Sequence, residues 1–398
     1  MKLARRLERL GTETAFSVAN AAADWSARGN TVYPFHLGDI DLPMAPHIVE
    51  ALNKAIADGH TGYCPGPGIP ELRAALAEEI GSQRGMTIDP SSVVVTTGGK
   101  PVITKFLQAV MNPGEGVLYP NPGFPIYESQ IDYFGGQALP YRYVPTDDGF
   151  AIDLEHLRSM ITDTTTAIIY NDLQNPISAE STQEEREAIA QIAREHDLWV
   201  LSDEAYFEIR YEGTSSSIAA LPGMAERTVI LYTFSKKFAM TGSRLGCAVA
   251  PQAIAEVMST MNTNDESCTN QYVQWAGIAA LTGPQDHVHD MLATFQERRD
   301  LTCELVNSTP GMQVAVPHST FYVFPDVTEA MERVGVTELS EFADLALHNT
   351  GVSFCTREHF GRLQEWDERK YIRLAYSGID AEAISKGLGR LKEWIESH

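Results

Sequence analysis

The stretch "TFSKKFAMTGSRLGCAVAP", residues 233–251, sets two adjacent lysines, Lys236 and Lys237, into a run that is otherwise small and apolar and ends on Arg244 and a second apolar segment. A solvated loop has no need of the Gly, Ala and Val that follow, and a core strand does not take two amines beside it without partners. The run "TVILYT" just before it (residues 228–233) reads as a buried strand, so Lys236 falls immediately past a strand end.

Working outward, the same theme recurs in "SVVVTT" (92–97), "GVLYP" (116–120), "TAIIYN" (166–171), "LWVLSD" (198–203) and "GCAVAP" (246–251). Amphipathic helices lie between them. "PELRAALAEEIGSQRG" opens on Pro70 and carries Leu72, Ala75, Leu76 and Ile80 at helical spacing. "STQEEREAIAQIAREHDL" has Ser181 or Thr182 as cap, acidic residues in the first turn, and Ile189, Ile192 and Ala193 as its apolar stripe. Strands alternating with helices predict an α/β fold with a mostly parallel sheet covered on both faces, and in such sheets ligands gather at the carboxyl ends of the strands. From about residue 285 the pattern changes to a long helix, "HVHDMLATFQERRDLTCELVNS", short strands in "TFYVFPDV" and "YIRLAYSG", and helices around "LSEFADLALHNTG" and "DAEAISKGLGRLKEWIES". This predicts a smaller α+β domain.

Composition narrows the function. Against 30 Lys and Arg stand 53 Asp and Glu, a net charge of −23, which argues against a nucleic-acid partner and against docking to anionic lipid. The five cysteines, Cys64, Cys247, Cys268, Cys303 and Cys355, are dispersed without a C-x-x-C pair, so neither a disulfide scaffold nor a metal site is expected. "MKLARRLERLGTETAF" lacks the apolar core of a secretory signal, and no window reaches the ~18 apolar residues of a membrane span. A cytoplasmic protein is expected.

Three segments carry chemistry. In "TTGGKPVITKFLQAV" a strand ends at Thr97, two glycines follow, and a helical pattern begins near Pro101. That arrangement suits a phosphate cradle, although for the segment alone an ordinary strand-to-helix turn is the better account; the P-loop spacing is absent. In "WVLSDEAYFE", Asp203 ends a buried strand and needs a partner: a helix cap, an ion pair or a cationic ring nitrogen. In the opening stretch, Thr233 and Ser235 offer hydroxyls, Lys236 a nucleophile if its proton is loosened, and Arg244 a bidentate grip on phosphate.

Together, in this order, these segments resemble the aspartate-aminotransferase superfamily of pyridoxal-phosphate enzymes, fold type I, aminotransferase classes I and II. "FHLGDIDLPMAP", "TGYCPGPGIPELRAALAE", "NPGFPIY", "QNPISAEST", "SDEAYFE", "SKKFAMTGSRLG", "STFYVFPDV" and "YIRLAYS" follow the family's sequence of motifs across nearly the whole chain. The resemblance implies an α/β fold with a large domain (45–285) built on a mostly parallel seven-stranded sheet, and a smaller α+β domain made from the N-terminal segment (1–44) and the C-terminal part (286–398). It implies pyridoxal 5'-phosphate as cofactor and an amino acid and a 2-oxo acid as substrates, converted by ping-pong transamination. Lys236 would be the lysine that bonds the cofactor aldehyde and then acts as general base, and Lys237 an incidental neighbour. Asp203 would keep the pyridine nitrogen charged. Tyr206, helped by Asn175, would hydrogen-bond the ring's phenolic oxygen, and Phe124 would stack on the ring. Gly99 and Lys100 through main-chain N–H, with Thr233 and Arg244, would hold the phosphate. Arg373 would pair with the substrate α-carboxylate, assisted by Gly38 and Asn175. Tyr63 would reach the phosphate of the neighbouring subunit in a homodimer.

The chain departs from the family pattern at Ser178 in "NPIS", where glycine is usual, at Ile40 in "LGDIDLP", and in "CTREHFG". In one branch the lysine after the glycine pair grips a distal carboxylate, a role Lys100 fits, but Glu13 and Ala15 stand where that branch has small hydroxyl residues. Glu13 there would repel a dicarboxylate, and Asp265 and Glu266 in "NTNDESC" are expected near the entrance; both lean toward basic or polar substrates, while a solvated or helix-capping carboxylate accounts for Glu13 at least as well. Two alternatives stand beside transamination: another reaction on the same scaffold (C–S lyase, decarboxylase, racemase or oxidase), and a non-catalytic sensor, which would carry a helix-turn-helix domain for which there is no room before Gly38.

Overall fold

The structure, a computed structural model, describes residues 2–398. After a short strand β1 (Tyr33–Pro34), eight strands build the large sheet: β2 (Val93–Thr96), β3 (Gly116–Asn121), β4 (Gln137–Thr146), β5 (Gly149–Ile152), β6 (Thr165–Tyr170), β7 (Trp199–Asp203), β8 (Thr228–Thr233) and β9 (Gly246–Val249). Their order is β2-β9-β8-β7-β6-β3-β4-β5. The pairs β3–β4, β3–β6, β6–β7 and β7–β8 are parallel. Strand β9 runs antiparallel to both β2 and β8, and β5 antiparallel to β4.

The sheet therefore has one strand more than the expected seven. The extra strand is the return arm of the β4–β5 hairpin. The hairpin's first arm, with Pro140 and Pro145, does not advertise a strand, because proline weakens a ladder and is tolerated only toward an edge, and the return arm is only four residues long. Strand β9 returns antiparallel: between it and β8 lie only the short helices Phe234–Lys237 and Thr241–Ser243, neither long enough to carry the chain back across the sheet as a parallel neighbour requires.

Alternation along each strand feeds two cores. Val93, Val95, Ile230 and Tyr232 face one layer of helices, and Val94, Val229 and Leu231 face the other. Each such side chain contributes about 1.5–3 kcal/mol by leaving water. Strand β2, although an edge, is not bare: Val95 N–H donates to the Pro67 carbonyl, Asn262 Nδ2 to the Val95 carbonyl at 2.8 Å, and Arg73 Nε to the Val93 carbonyl at 2.9 Å. These bonds occupy groups that otherwise invite another chain. The helix Pro70–Arg84 begins on its proline and stops at Gly85, whose φ of 66° closes the helix without Cβ strain. Thr182 forms a capping box with Glu185 at the start of Gln183–Glu195.

The remaining strands, β10 (Tyr322–Val323), β11 (Val352–Ser353), β12 (Cys355–Thr356) and β13 (Ile372–Ala375), are short. β10 and β12 flank β13, and β1 pairs in parallel with β11, tying the N-terminal segment to the C-terminal part. Arg298, on the helix Asp286–Asn307, holds Asp41 through two bonds of 2.9 and 3.1 Å. No described helix is long and apolar enough to cross a membrane.

Candidate active site

The carboxyl ends of β2, β3, β6, β7 and β8 point the same way, and β9 begins at that end, so the segments flanking them converge there. They line a cleft of about 460 Å³ that contains Gly38, Gly99, Lys100, Phe124, Asn175, Asp203, Tyr206, Thr233, Lys236, Arg244 and Arg373. Of the residues to which the resemblance gives a cofactor or substrate role, Tyr63 alone stands apart from this chain's cleft, 88% exposed.

Lys236 lies one turn past β8. Its amine donates to the Gly38 carbonyl at 2.8 Å and sits 5.2 Å from the Phe321 ring centre and 5.8 Å from that of Tyr206. The residue as a whole is half-buried, but the amine is enclosed, and burial, with Arg373 and Arg244 adding repulsion, brings its pKa down to about 8. A substantial neutral fraction is thus present near physiological pH. Gly38 is required by crowding: a Cβ there would lie 2.2 Å from the Tyr322 hydroxyl.

Asp203 ends β7 and is buried. Its carboxylate accepts the Tyr127 hydroxyl at 2.6 Å and the Ala205 N–H at 3.2 Å, and burial raises its pKa to about 6. Asn171 fixes the strand end by donating to the Asp203 carbonyl at 2.9 Å. The Tyr206 hydroxyl meets that of Tyr322 at 2.7 Å.

Arg373, on β13, is 4% exposed. It donates to Asn175 Oδ1 at 3.0 Å and to the His36 carbonyl at 2.7 Å, and its guanidinium lies over the rings of Tyr322 and Phe360. Its Nε has no partner, and it makes no ion pair with any carboxylate among the described residues. A buried guanidinium left in this state is costly unless a carboxylate completes it.

Next to β2, Gly98 takes φ 93°, and a Cβ on it would sit 2.4 Å from Arg244 Nη2. The bare turn therefore lets the Arg244 guanidinium close over the start of the helix Lys100–Val110. Arg244 is itself held at φ 53°, with Nη1 on the Thr241 carbonyl at 2.7 Å. Thr233 donates to Ser235 Oγ at 3.0 Å beside it.

Several expectations change. Lys237 is not incidental: it is buried and paired with Glu79. Glu13 and Lys100 are not independent charges, because Lys100 Nζ donates to Glu13 Oε2 at 2.5 Å. Asp265 and Glu266 do not line the cleft; they neutralise Lys105 at 3.1 and 3.3 Å, and Glu266 also accepts the Thr97 hydroxyl. Ser178 stands at φ 53°, a region that favours glycine, and its hydroxyl bonds Thr320 Oγ1 at 2.6 Å and the Tyr322 carbonyl at 2.9 Å. Two cleft residues, Tyr127 and Tyr322, were not picked out from sequence, although both stand inside quoted motifs, "NPGFPIY" and "STFYVFPDV".

A parallel-centred α/β sheet with a buried lysine, a strand-end aspartate and an arginine-closed glycine turn at one end defines an enzyme built around an anionic, ring-bearing cofactor and a carboxylate substrate. The family model for aminotransferase class I and II matches residues 31–391, and the chain belongs to that family. It is 32% identical to a probable aspartate/prephenate aminotransferase of Aquifex aeolicus, over 99% of this chain and 98% of that one. It is 29% identical to an aspartate aminotransferase of Bacillus subtilis over the full length of both. Among solved structures it superposes on an alanine aminotransferase from Pyrococcus furiosus with a TM-score of 0.91, 28% identity and complete coverage of both chains.

The protein is a transaminase, and the cofactor of this family is pyridoxal phosphate. The residues present fit it. The Gly98 turn under Arg244 would be filled by any Cβ, and the buried Asp203 carboxylate faces neutral donors.

Proposed function

We propose that the cleft transfers the amino group of an L-amino acid to a 2-oxo acid in two half-reactions, with roles as follows. The observation that carries this is the buried Arg373 guanidinium, without a carboxylate of its own, in one cleft with the Lys236 amine. Arg373 takes the α-carboxylate of either substrate as a bidentate pair, and Asn175 and the His36 carbonyl orient it. Pyridoxal phosphate supplies an aldehyde and an electron-withdrawing ring when bound. Lys236, its amine loosened by burial, would be the residue that carries the cofactor and, when its amine is free and neutral, would take the proton from substrate Cα. Asp203 would keep the ring nitrogen charged, because a cation facing its buried carboxylate would relieve the cost of that burial. Tyr206, with Asn175, would hold the ring oxygen, and Phe124 would cover the ring. Arg244, Thr233 and the N–H groups of Gly99 and Lys100 hold the phosphate.

The active unit is a homodimer in which the exposed Tyr63 completes the neighbouring phosphate site. Residues 45–285 form the large domain; 1–44 and 286–398 form the small one. The acidic, dispersed-cysteine chain works in the cytoplasm. Mixing the cofactor-loaded protein with single amino acids tests the chemistry. The aldehyde absorbance should fall as the amine form appears, and a 2-oxo acid should restore it. Release of carbon dioxide, ammonia or peroxide in place of this exchange would overturn the reading.

A further inference from the structure

Four cations line the cleft: Lys236, Arg244, Arg373 and Lys100. The first three have the cofactor and the α-carboxylate to serve. A substrate whose side chain ends in a second carboxylate needs a fourth, free positive charge, and Lys100 is the residue left. Its charge is already used. Glu13, ahead of the helix Ala15–Ala27, and Lys100, at the start of Lys100–Val110, are distant in sequence but bonded at 2.5 Å. Glu13 is the more covered partner, with 23% of its side chain exposed against 46% for Lys100. Its charge is felt at the reacting lysine, where it pulls the Lys236 pKa upward. Around the pair the cleft is apolar: Phe16, Leu37, Ile103 and Phe124, the last with its ring centre 5.6 Å from the Lys100 amine.

A distal carboxylate entering here meets a Lys100–Glu13 pair without net charge, in which the lysine is already engaged and the Glu13 carboxylate stands at its side. A basic side chain must displace Lys100 from Glu13. An uncharged side chain disturbs neither and buries its carbon against Phe16, Leu37 and Phe124.

We infer that Glu13, by holding Lys100, makes this aminotransferase select substrates with uncharged side chains over dicarboxylates. The inference rests on the transamination reading of the cleft.

The test uses the cofactor-loaded protein. Two quantities are measured: the ratio of kcat/KM for aspartate to that for alanine, and the Kd of the unreactive dicarboxylate succinate against that of butyrate, by titration calorimetry. The wild type should prefer alanine and bind succinate no better than butyrate. Glu13→Gln frees Lys100 and should raise the aspartate-to-alanine ratio about tenfold, with a parallel gain for succinate. Lys100→Gln leaves Glu13 unpaired and should shift the ratio the other way. The double variant should return it toward the wild-type value. A wild type that prefers aspartate, a Glu13→Gln ratio that does not move, or two single variants that shift the ratio in the same direction would overturn the inference. If no amino acid changes the absorbance of the bound cofactor, it is the transamination reading that fails instead.

Discussion

Tyr127 donates its hydroxyl hydrogen to Asp203 Oδ2 at 2.6 Å, so the buried carboxylate that ends β7 is held by a neutral partner. The bond steadies the carboxylate without cancelling its charge, which leaves Asp203 available to a cation.

The sign of the resulting pH effect follows. Burial lifts the Asp203 pKa from 3.8 to about 6. Between those values the native state keeps a proton that the unfolded chain has released, so stability falls as pH rises through that window. The loss is about 3 kcal/mol in the cofactor-free protein. Asp203→Asn removes this dependence. Urea denaturation of wild type and variant without cofactor, from pH 4 to 7, should show the wild type losing ground to Asp203→Asn. With cofactor bound the order should reverse. Parallel curves in the cofactor-free state would show that Asp203 is not held as described.

Lys236 gives the opposite slope. Its amine is lowered to about 8, chiefly by burial, so it loses its proton in the native state before the unfolded chain does. Covalent capture of pyridoxal phosphate should therefore speed up with pH about a midpoint near 8. Borohydride reduction followed by peptide mapping should place the adduct on Lys236 and none on Lys237, which Glu79 holds elsewhere. Lys236→Ala should lose activity by about 10³-fold or more.

Arg373 should separate capture from chemistry. Arg373→Gln removes the charge, and Arg373→Lys keeps it without the planar fork. Both should raise KM for every amino acid, the glutamine variant by about 10²-fold, while the cofactor spectrum stays that of the wild type. A changed cofactor spectrum with unchanged KM would place Arg373 on the cofactor rather than on the substrate.

Much of this site was legible because strand ends are legible. Asp203, Thr233 and Lys236 each follow an apolar run, and a sheet with its main strands parallel brings such positions together. The hairpin β4–β5 was not, since Pro140, Arg142 and Pro145 mask its alternation and it lies at the sheet edge, partly exposed. Nor was the direction of β9, which depends on how little chain joins it to β8. Tyr127 and Tyr322 lay in recognised motifs, yet nothing in their spacing says that one faces Asp203 and the other Tyr206. Charges were misjudged for one physical reason: a sequence shows their signs but not their partners. Glu13 with Lys100, Asp265 and Glu266 with Lys105, and Lys237 with Glu79 are each far apart in the chain and neutralised only by the fold.

The proposed homodimer, with Tyr63 reaching across, makes a prediction that no single chain can satisfy. Tyr63 is exposed on a loop whose neighbour, Cys64, is anchored by its N–H to Cys268 Sγ and by its thiol to the Thr269 carbonyl, so the ring is presented from a fixed base. If it completes the partner's phosphate site, Tyr63→Phe should weaken cofactor binding by about 10- to 10²-fold without moving the Lys236 midpoint, as one hydrogen bond to a charged group is worth about 1.5–3 kcal/mol. Lys236→Ala should be inactive. Unfolding and refolding the two variants together should yield hybrids that hold one complete site each, with Lys236 from the Tyr63→Phe chain and Tyr63 from the Lys236→Ala chain. At cofactor concentrations where neither parent is active, the mixture should recover activity, and size-exclusion chromatography should place it at twice the mass of one chain. Recovery no greater than the sum of the parents would assign Tyr63 to its own chain or to no site.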